Sequence, residues 1–408
     1  GTLAGAATFN IINDSKYITV NNCIIEGGAS SSTNGVVTIG TSSATGNDTI
    51  TITKCDIKSY AANLPTYGVY GVGTTGRDNS GVIINNCNIY DVYSATIAPS
   101  AVYIGAGNSG WSIVSNKIYQ TAARSNTGSL LYTGIRINNS TGGGFVIDGN
   151  YIGGADASGS GVSSYGSGSA QYAGIHFWAA SSPVSSITGN TIKNISFTSI
   201  SASTAAQGVF SGIYVASASG VNVLNNIVGA NDVNGSINVT VSTNSGALVF
   251  GIRSESANTG QVSGNLVGGI TATGTGTNNA IGMHGINISS GVNVVANNNI
   301  GSATVANSLQ INGTSTTNSS PFSGITVVAS SSFFPSIRDN NIQNITNNNT
   351  GSAGTGIGIS TSGGGVFSIT GNTIANLSTR LSTSGVGTSS SIVGITQTSA
   401  NTTPHAIS

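Results

Sequence analysis

The stretch Ile187-Thr188-Gly189-Asn190-Thr191-Ile192 sets one asparagine between two apolar residues, and this pattern returns along almost the whole chain. Written as apolar-x-x-Asn-x-apolar, it occurs eight times with asparagine and three times with cysteine at the central position. These eleven positions are Cys23, Cys55, Cys87, Asn116, Asn150, Asn190, Asn226, Asn265, Asn298, Asn340 and Asn372. They are 29 to 42 residues apart, with a mean of about 35, a period typical of solenoid proteins.

A second pattern, Gly-apolar-x-apolar, lies 14 to 16 residues before many of these positions. Gly174-Ile175-His176-Phe177 and Gly212-Ile213-Tyr214-Val215 are two examples. Both patterns alternate apolar and polar residues, as does a strand with one buried face. The repeat therefore predicts two strands in each unit, and no helical period competes with them.

Short strands that return at a fixed period without helices predict an all-β parallel β-helix of about eleven coils, each of roughly 35 residues. A β-propeller is the alternative, but its blades need four antiparallel strands each. Residues 196–207 and 231–245 are read as side-loop insertions. We expect a single solenoid over residues 1–408, and because solenoids usually carry polar caps, we expect it to be a fragment of a longer protein.

The central position of the repeat predicts an internal ladder. An asparagine at a tight bend tolerates the left-handed conformation, and its amide can bond the same amide on the next coil. The three cysteines occupy this position on consecutive coils, so we expect buried free thiols because stacked side chains point the same way and bridge poorly. No cysteine pair or nearby histidine indicates a metal site.

Composition narrows the partners. Charged residues make up only 5% of the chain, eleven basic and eleven acidic, which argues against nucleic acid. No segment reaches the roughly 20 apolar residues of a membrane span, so membrane insertion is not expected. The glycine runs at 142–144 and 363–365 lead into strands rather than helices, so they do not predict a phosphate site, and no cofactor is predicted.

The middle residue of each Gly-apolar-x-apolar strand should face outward, and stacked coils should align these residues in one row. The row reads Tyr70, Tyr103, Arg136, His176, Tyr214, Arg253, Asn287 and Thr326. Aromatic faces stack on sugars and arginine supplies forked donors, so the first six residues are the candidate surface for a glycan or a partner protein. Alternatively, large residues simply shield the strands.

Catalytic residues are not predicted. Hydrolysis of a glycosidic bond wants two carboxylates about 5 to 10 Å apart, and only Asp14 with Asp48, or Asp56 with Asp91, approach such a pairing, in positions that do not match. His176 has no predictable carboxylate neighbour, and Arg136 one coil away should disfavour its protonation. Polysaccharide lyase or hydrolase activity therefore stays an alternative that rests on fold analogy alone.

The chain resembles the right-handed β-helix regions of large secreted and cell-surface proteins of Bacteroidota. The resemblance covers most of residues 1–200, and it lies in Phe9-Asn10-Ile11-Ile12-Asn13-Asp14, Thr45-Gly46-Asn47-Asp48, Cys55-Asp56-Ile57, residues 76–81, Asn88-Ile89-Tyr90-Asp91 and Asn150-Tyr151-Ile152-Gly153-Gly154. It implies right-handed coils, an extracellular or cell-surface location, type IX secretion and flanking domains in the parent chain. It favours an adhesin or surface scaffold, with a self-associating fibre unit as the alternative.

Overall fold

The protein is a right-handed parallel β-helix, as the sequence predicts. The computed structural model describes residues 6–125, 128–166, 168–204, 207–216, 219–256, 258–290, 292–315, 320–350, 354–380, 391–399 and 405–408. Within these ranges all regular elements are strands, and each strand of a main sheet pairs in parallel with its equivalent one coil away. The chain passes through three sheets in each of the first eleven coils and through two in the twelfth. These are named sheet 1, sheet 2 and sheet 3 in chain order.

Sheets 1 and 2 contain twelve strands each. Sheet 1 consists of Phe9–Ile11, Val37–Ile39, Tyr67–Gly71, Ser100–Ile104, Leu131–Asn139, Gln171–Ala179, Phe210–Val215, Ala247–Ser254, Ile281–Ile288, Phe322–Ala329, Gly356–Gly363 and Ile392–Ser399. Sheet 2 consists of Thr19–Asn21, Thr51–Thr53, Ile83–Asn85, Ser112–Val114, Val146–Asp148, Ser185–Thr188, Val221–Leu224, Thr259–Ser263, Val292–Ala296, Ser336–Arg338, Ser368–Thr370 and Ala406–Ile407. The eleven repeat positions undercount these coils by one, since the twelfth coil has no such position.

Sheet 3 follows each repeat position directly. Its strands are Ile24–Gly27, Asp56–Ser59, Asn88–Tyr90, Lys117–Tyr119, Tyr151–Ile152, Thr191–Ile192, Ile227–Gly229, Leu266–Gly268, Asn299–Gly301, Asn341–Asn347 and Thr373–Thr379. The prediction of two strands per unit was therefore wrong. Sheets 2 and 3 are separated by only two residues in most coils, so a single sequence pattern spans both.

A further stack of strands, the side stack, lies beside sheet 3 in the middle coils. It comprises Arg124–Ser125, Ser163–Gly166, Ile195–Ser199, Ile237–Val241, Ile270–Gly274 and Leu309–Gly313, and it joins sheet 3 at Asn341–Asn347. Residues 196–207 and 231–245 are thus not simple loops, although residues 205 and 206 lie outside the described residues. Ile195, Phe197 and Val239 are buried, so the insertions widen the apolar core. A separate two-stranded pair joins Asn79–Ser80 and Asn108–Ser109.

The bend between sheets 2 and 3 takes its shape from the residue before each repeat position, not from the repeat residue itself. At all eleven coils this preceding residue has a positive φ, between 52 and 69°. The residues are Asn22, Lys54, Asn86, Ser115, Gly149, Gly189, Asn225, Gly264, Asn297, Asp339 and Gly371. Glycine and asparagine dominate because they enter the left-handed region at least cost. The predicted left-handed conformation at the ladder asparagine was therefore misplaced by one residue.

The asparagine ladder is present from Asn116 to Asn372. The Oδ1 atom of Asn190 accepts from both the backbone N–H and Nδ2 of Asn150, at 3.0 and 2.9 Å. Asn190 Nδ2 donates in turn to Asn226 Oδ1, at 2.9 Å, and to the carbonyl of Ile147. Asn116, Asn150, Asn190, Asn226, Asn265, Asn298 and Asn340 are all 0 to 1% exposed. The ladder thus pairs buried polar groups at the corner with one another.

Cysteines continue this ladder weakly toward the N-terminal coils. The backbone N–H of Cys87 donates to Asn116 Oδ1 at 2.9 Å, and that of Cys55 to the Sγ of Cys87 at 3.4 Å. All three thiols are free, as predicted, but Cys23 is exposed, so its predicted burial was wrong.

A second asparagine ladder, absent from the sequence prediction, lies between sheets 1 and 2. Asn47 Nδ2 donates to Asn79 Oδ1 at 2.8 Å, and Asn79 Nδ2 donates to Asn108 Oδ1 at 2.9 Å. All three side chains are fully buried. Their spacings of 32 and 29 residues equal those of Cys55, Cys87 and Asn116 in the first ladder. That shared spacing is the signal that could have revealed them.

The glycine of the second sequence pattern lets neighbouring coils approach. A Cβ built on Gly212 would lie 2.6 Å from the carbonyl oxygen of Gly251 on the next coil and 2.4 Å from Val228. Equivalent contacts recur at Gly134, Gly174, Gly251, Gly285, Gly324 and Gly358. Val228 is the final apolar residue of the repeat in the same coil. The two sequence patterns therefore meet across the core: the glycine of the second pattern leaves space, and the final apolar residue of the first pattern fills it.

Candidate binding surface

The outward row on sheet 1 is in register. Pairing between successive strands aligns Tyr70 with Tyr103, then Arg136, His176, Tyr214, Arg253, Asn287 and Thr326, one residue from each coil. This alignment confirms the predicted geometry of the row. Its side chains, however, are less exposed than an outward position suggests, because Tyr70, His176, Tyr214 and Asn287 are only 5 to 8% exposed.

Three tyrosines cover the N-terminal part of the row. The rings of Tyr70 and Tyr103 stack with centroids 5.3 Å apart, and Tyr67 packs against both at 5.0 and 5.1 Å. The burial of Tyr70 raises the pKa of its phenol to about 12, so the ring stays neutral. Such offset aromatic pairs add to apolar burial. The tyrosines form one aromatic platform, and the guanidinium of Arg136 lies 5.7 Å from the centroid of Tyr103.

The side chains in the C-terminal part of the row form hydrogen bonds with their neighbours in the protein. Tyr214 donates its hydroxyl to Glu255 Oε2 at 2.7 Å, and Arg253 donates to Glu255 Oε1, also at 2.7 Å. Arg253 also donates to Asn287 Oδ1 at 3.1 Å and lies over the ring of Phe250. The charge of Arg253 is therefore neutralised, and this segment has the contacts of a structural network.

Between the two parts, Arg136 and His176 have unused polar atoms. Arg136 Nε and His176 Nδ1 are buried and have no hydrogen-bond partner. Among the side chains that the structure describes, Arg136 and His176 are the ionisable side chains with a buried, unpaired polar atom. Burial, and secondarily the charge of Arg136, lowers the pKa of His176 to about 3, so the imidazole is neutral. The arginine acts in the predicted direction, but burial is the larger cause.

A shallow, open cavity of about 320 Å³ lies at this point of sheet 1. Its walls are formed by Arg136, Asn138, His176, Trp178, Gln207, Tyr214 and Ala216. Trp178 is 38% exposed and pairs in register with Asn138 on the preceding coil. Gln207, which precedes the strand Phe210–Val215 of the next coil, donates to Gln171 Oε1 at 2.8 Å. The outward row thus gains an exposed indole and an amide rim, neither of which was singled out from sequence.

Trp178 had a readable signal: it stands two residues after His176 in the same strand and so shares its face. Gln207 had none, because it belongs to a loop whose path the strand pattern does not fix. A second cavity, of about 300 Å³, lies farther along the same face, beside Tyr70 and Thr38.

The carboxylate pairs considered for catalysis are engaged in structural contacts. Asp14 accepts backbone N–H groups of residues 44–46, which hold the pKa of its carboxyl well below the usual range. Asp48 pairs with Lys16 at 3.2 Å. Asp56 accepts from the Asn88 amide, and Asp91 forms an ion pair with Arg124. None of these four lines the cavity beside Arg136.

No group of three or more His, Cys, Asp or Glu side chains suited to a metal ion occurs among the described residues. No helix in the described part of the chain is long and apolar enough to cross a membrane. Comparison of the chain with protein-family models, with curated proteins and with solved structures gives no match.

Proposed function

We propose that the chain is a non-catalytic extracellular scaffold or adhesin that presents the outer face of sheet 1 to a glycan or a partner protein. The observation that carries this proposal is the continuous row of large side chains from Tyr70 to Arg253, in a protein with 5% charged residues. Tyrosine, tryptophan and arginine dominate binding hot spots, since they offer large contact areas and directed donors.

The rest of the coil supports a scaffold role. Buried polar groups at the corners are satisfied by the two asparagine ladders, and the acidic residues considered for catalysis serve loops and ion pairs. Most polar side chains of the solenoid thus stabilise its own fold, and the outward row of sheet 1 brings aromatic and basic side chains together. The resemblance to Bacteroidota proteins extends this proposal to export through a type IX pathway and display on a bacterial surface.

The proposal is tested by screening the tagged chain against arrays of glycans and extracellular proteins. Tyr103→Ala and Trp178→Ala should each weaken binding at least tenfold, because each removes a large aromatic face beside the cavity. The matched control is Phe334→Ala, which removes an aromatic ring that is 70% exposed away from the described cavities, and it should bind as the wild type does.

Equal binding by all variants would contradict the proposed surface. Absence of binding, together with end-to-end filaments under the electron microscope, would instead favour the self-associating fibre unit. Hydrolysis or elimination products released from any glycan on the array would favour the enzyme alternative.

A further inference from the structure

Among the described residues that line it, the cavity beside Trp178 has a basic side chain and no acidic one. Arg136 contributes a guanidinium, and the remaining walls are amide, imidazole, indole, phenol and methyl groups. Arg136, like Arg77 and Arg380, belongs to none of the described ion pairs, and of these three it is the one that lines the cavity beside Trp178. The nearby Glu255 is already shared by Tyr214 and Arg253. An anionic group from outside is therefore the natural partner for Arg136.

The side chains that line the cavity indicate which chemical groups a ligand should carry, in addition to its charge. Arg136 lines the cavity, and a guanidinium binds a carboxylate through parallel N–H groups, so a ligand carboxylate suits this side chain. His176 lines the same cavity and is neutral, so a ring nitrogen that faces the cavity either accepts or donates according to the tautomer. A hydroxyl group serves both tautomers, because it can donate and accept. Carboxylate and hydroxyl on one small ligand would satisfy both side chains.

The indole of Trp178 adds a flat apolar face at the mouth of the cavity. Apolar C–H faces of pyranose rings pack on such aromatic surfaces, and tryptophan is exposed here although large aromatics usually bury themselves. The volume of about 320 Å³ is at the small end of ligand sites, which fits one sugar ring of a longer chain rather than a folded partner domain.

We propose that this cavity is a subsite for one uronic acid residue of an acidic polysaccharide. The sugar carboxylate binds Arg136, a ring hydroxyl bonds His176, and the ring stacks on Trp178. This inference rests on the proposed binding function and narrows it to one ligand class. No covalent step is involved.

Tryptophan fluorescence provides a local test, since the chain has only two tryptophans. Trp111 is fully buried and donates its Nε1 to the carbonyl of Asn79 at 3.0 Å. Soluble quenchers such as acrylamide therefore reach mainly Trp178. The probes are tetramers of galacturonate, glucuronate and mannuronate, with the methyl-esterified galacturonate tetramer as the matched neutral sugar.

At least one acidic tetramer should protect the fluorescence from quenching, and the esterified tetramer should bind at least tenfold more weakly. Arg136→Gln should also lose at least tenfold in affinity for the acidic sugar. Arg338→Gln, which removes an exposed arginine on sheet 2, should bind as the wild type does. Trp178→Phe should abolish the fluorescence signal. Calorimetry is therefore used to measure whether this variant still binds the sugar.

Three results would overturn the inference. Equal binding of esterified and acidic tetramers would remove the role of the carboxylate. Unchanged affinity in Arg136→Gln would place the acidic sugar elsewhere. Equal protection by a tetraglutamate peptide would show a carboxylate site without sugar recognition. If the array finds neutral glycans that depend on Trp178 while acidic tetramers fail, the adhesin proposal stands and the uronic acid subsite falls.

Discussion

Replacing Asn190 by leucine tests whether the corner ladder is a directional chain of hydrogen bonds. The change removes the Oδ1 atom that accepts the backbone N–H of Asn150 at 3.0 Å. That N–H is buried and loses its partner. The carbonyl of Ile147 also loses the amide that donates to it, whereas Asn150 Nδ2 keeps the carbonyl of Ile113 and Asn226 Oδ1 keeps the backbone N–H of residue 190.

One orphaned, buried N–H group costs about 1 to 3 kcal/mol. Leucine branches at Cγ as asparagine does, but its methyl groups are bulkier than the amide oxygen and nitrogen, so crowding against partners 2.9 to 3.0 Å away adds to this figure. The loss should appear on the preceding coil rather than the following one, because the bifurcated acceptor of each asparagine serves the coil before it. Asn372→Leu is the matched control: Asn372 is partly exposed, so water can replace the lost acceptor of the Asn340 N–H.

The assay combines denaturant unfolding with amide hydrogen exchange followed by mass spectrometry. We expect Asn190→Leu to lower the free energy of unfolding by about 1 to 3 kcal/mol and Asn372→Leu to lower it by less. Exchange at the amide of Asn150 should accelerate about tenfold for each 1.4 kcal/mol. Unchanged exchange at Asn150, or equal losses in the two variants, would refute a directional buried ladder.

Three further perturbations follow from the structure. Gly212→Ala should destabilise the fold by about 1 to 3 kcal/mol or more through overpacking. Gly246→Ala is the control and should not destabilise the fold, because the nearest contact of its Cβ would be at 3.5 Å. Thermal unfolding compares the two variants. The pKa of His176 is lowered from 6.5 to about 3 in the folded protein, so the unfolded chain binds the proton first. Stability should therefore fall as pH drops from about 6.5 toward 3. Denaturant unfolding of His176→Asn across this range should show a shallower fall. Cys23 should react with a thiol reagent in the native protein, whereas Cys87, whose pKa burial raises to about 12, should react only after unfolding; a second fast thiol would contradict the assigned burial.

The period and the ladder could be predicted because a solenoid stacks equivalent residues, so each structural position recurs in the sequence. Asn190 and Asn226 look alike in sequence for the same reason that they bond in the structure. The left-handed position could not be predicted so easily. Its occupants differ from coil to coil, with Lys54, Ser115 and Asp339 among them, because a bend needs a tolerant backbone rather than one particular side chain.

Exposure along the outward row was not predictable from alternation. Alternation fixes which side of the sheet a residue occupies, but not what lies above it. Tyr214 is buried because Glu255 and His176 pack on it, and Gln207 arrives from a loop of variable length. The third sheet was missed for another reason: the corner between sheets 2 and 3 is so short that two strands read as one pattern.

These constraints explain why Arg136 and His176 stand out. Corner asparagines, left-handed residues and core glycines are dictated by stacking, so their recurrence carries no information about ligands. The outward row is free of those constraints, and along most of it the side chains still pair with one another, from the tyrosine platform to Glu255. A row that served only to shield strands would be expected to close these contacts throughout. An arginine nitrogen and an imidazole nitrogen left unpaired on adjacent coils, beside an exposed indole, mark the place where the scaffold's own chemistry is incomplete.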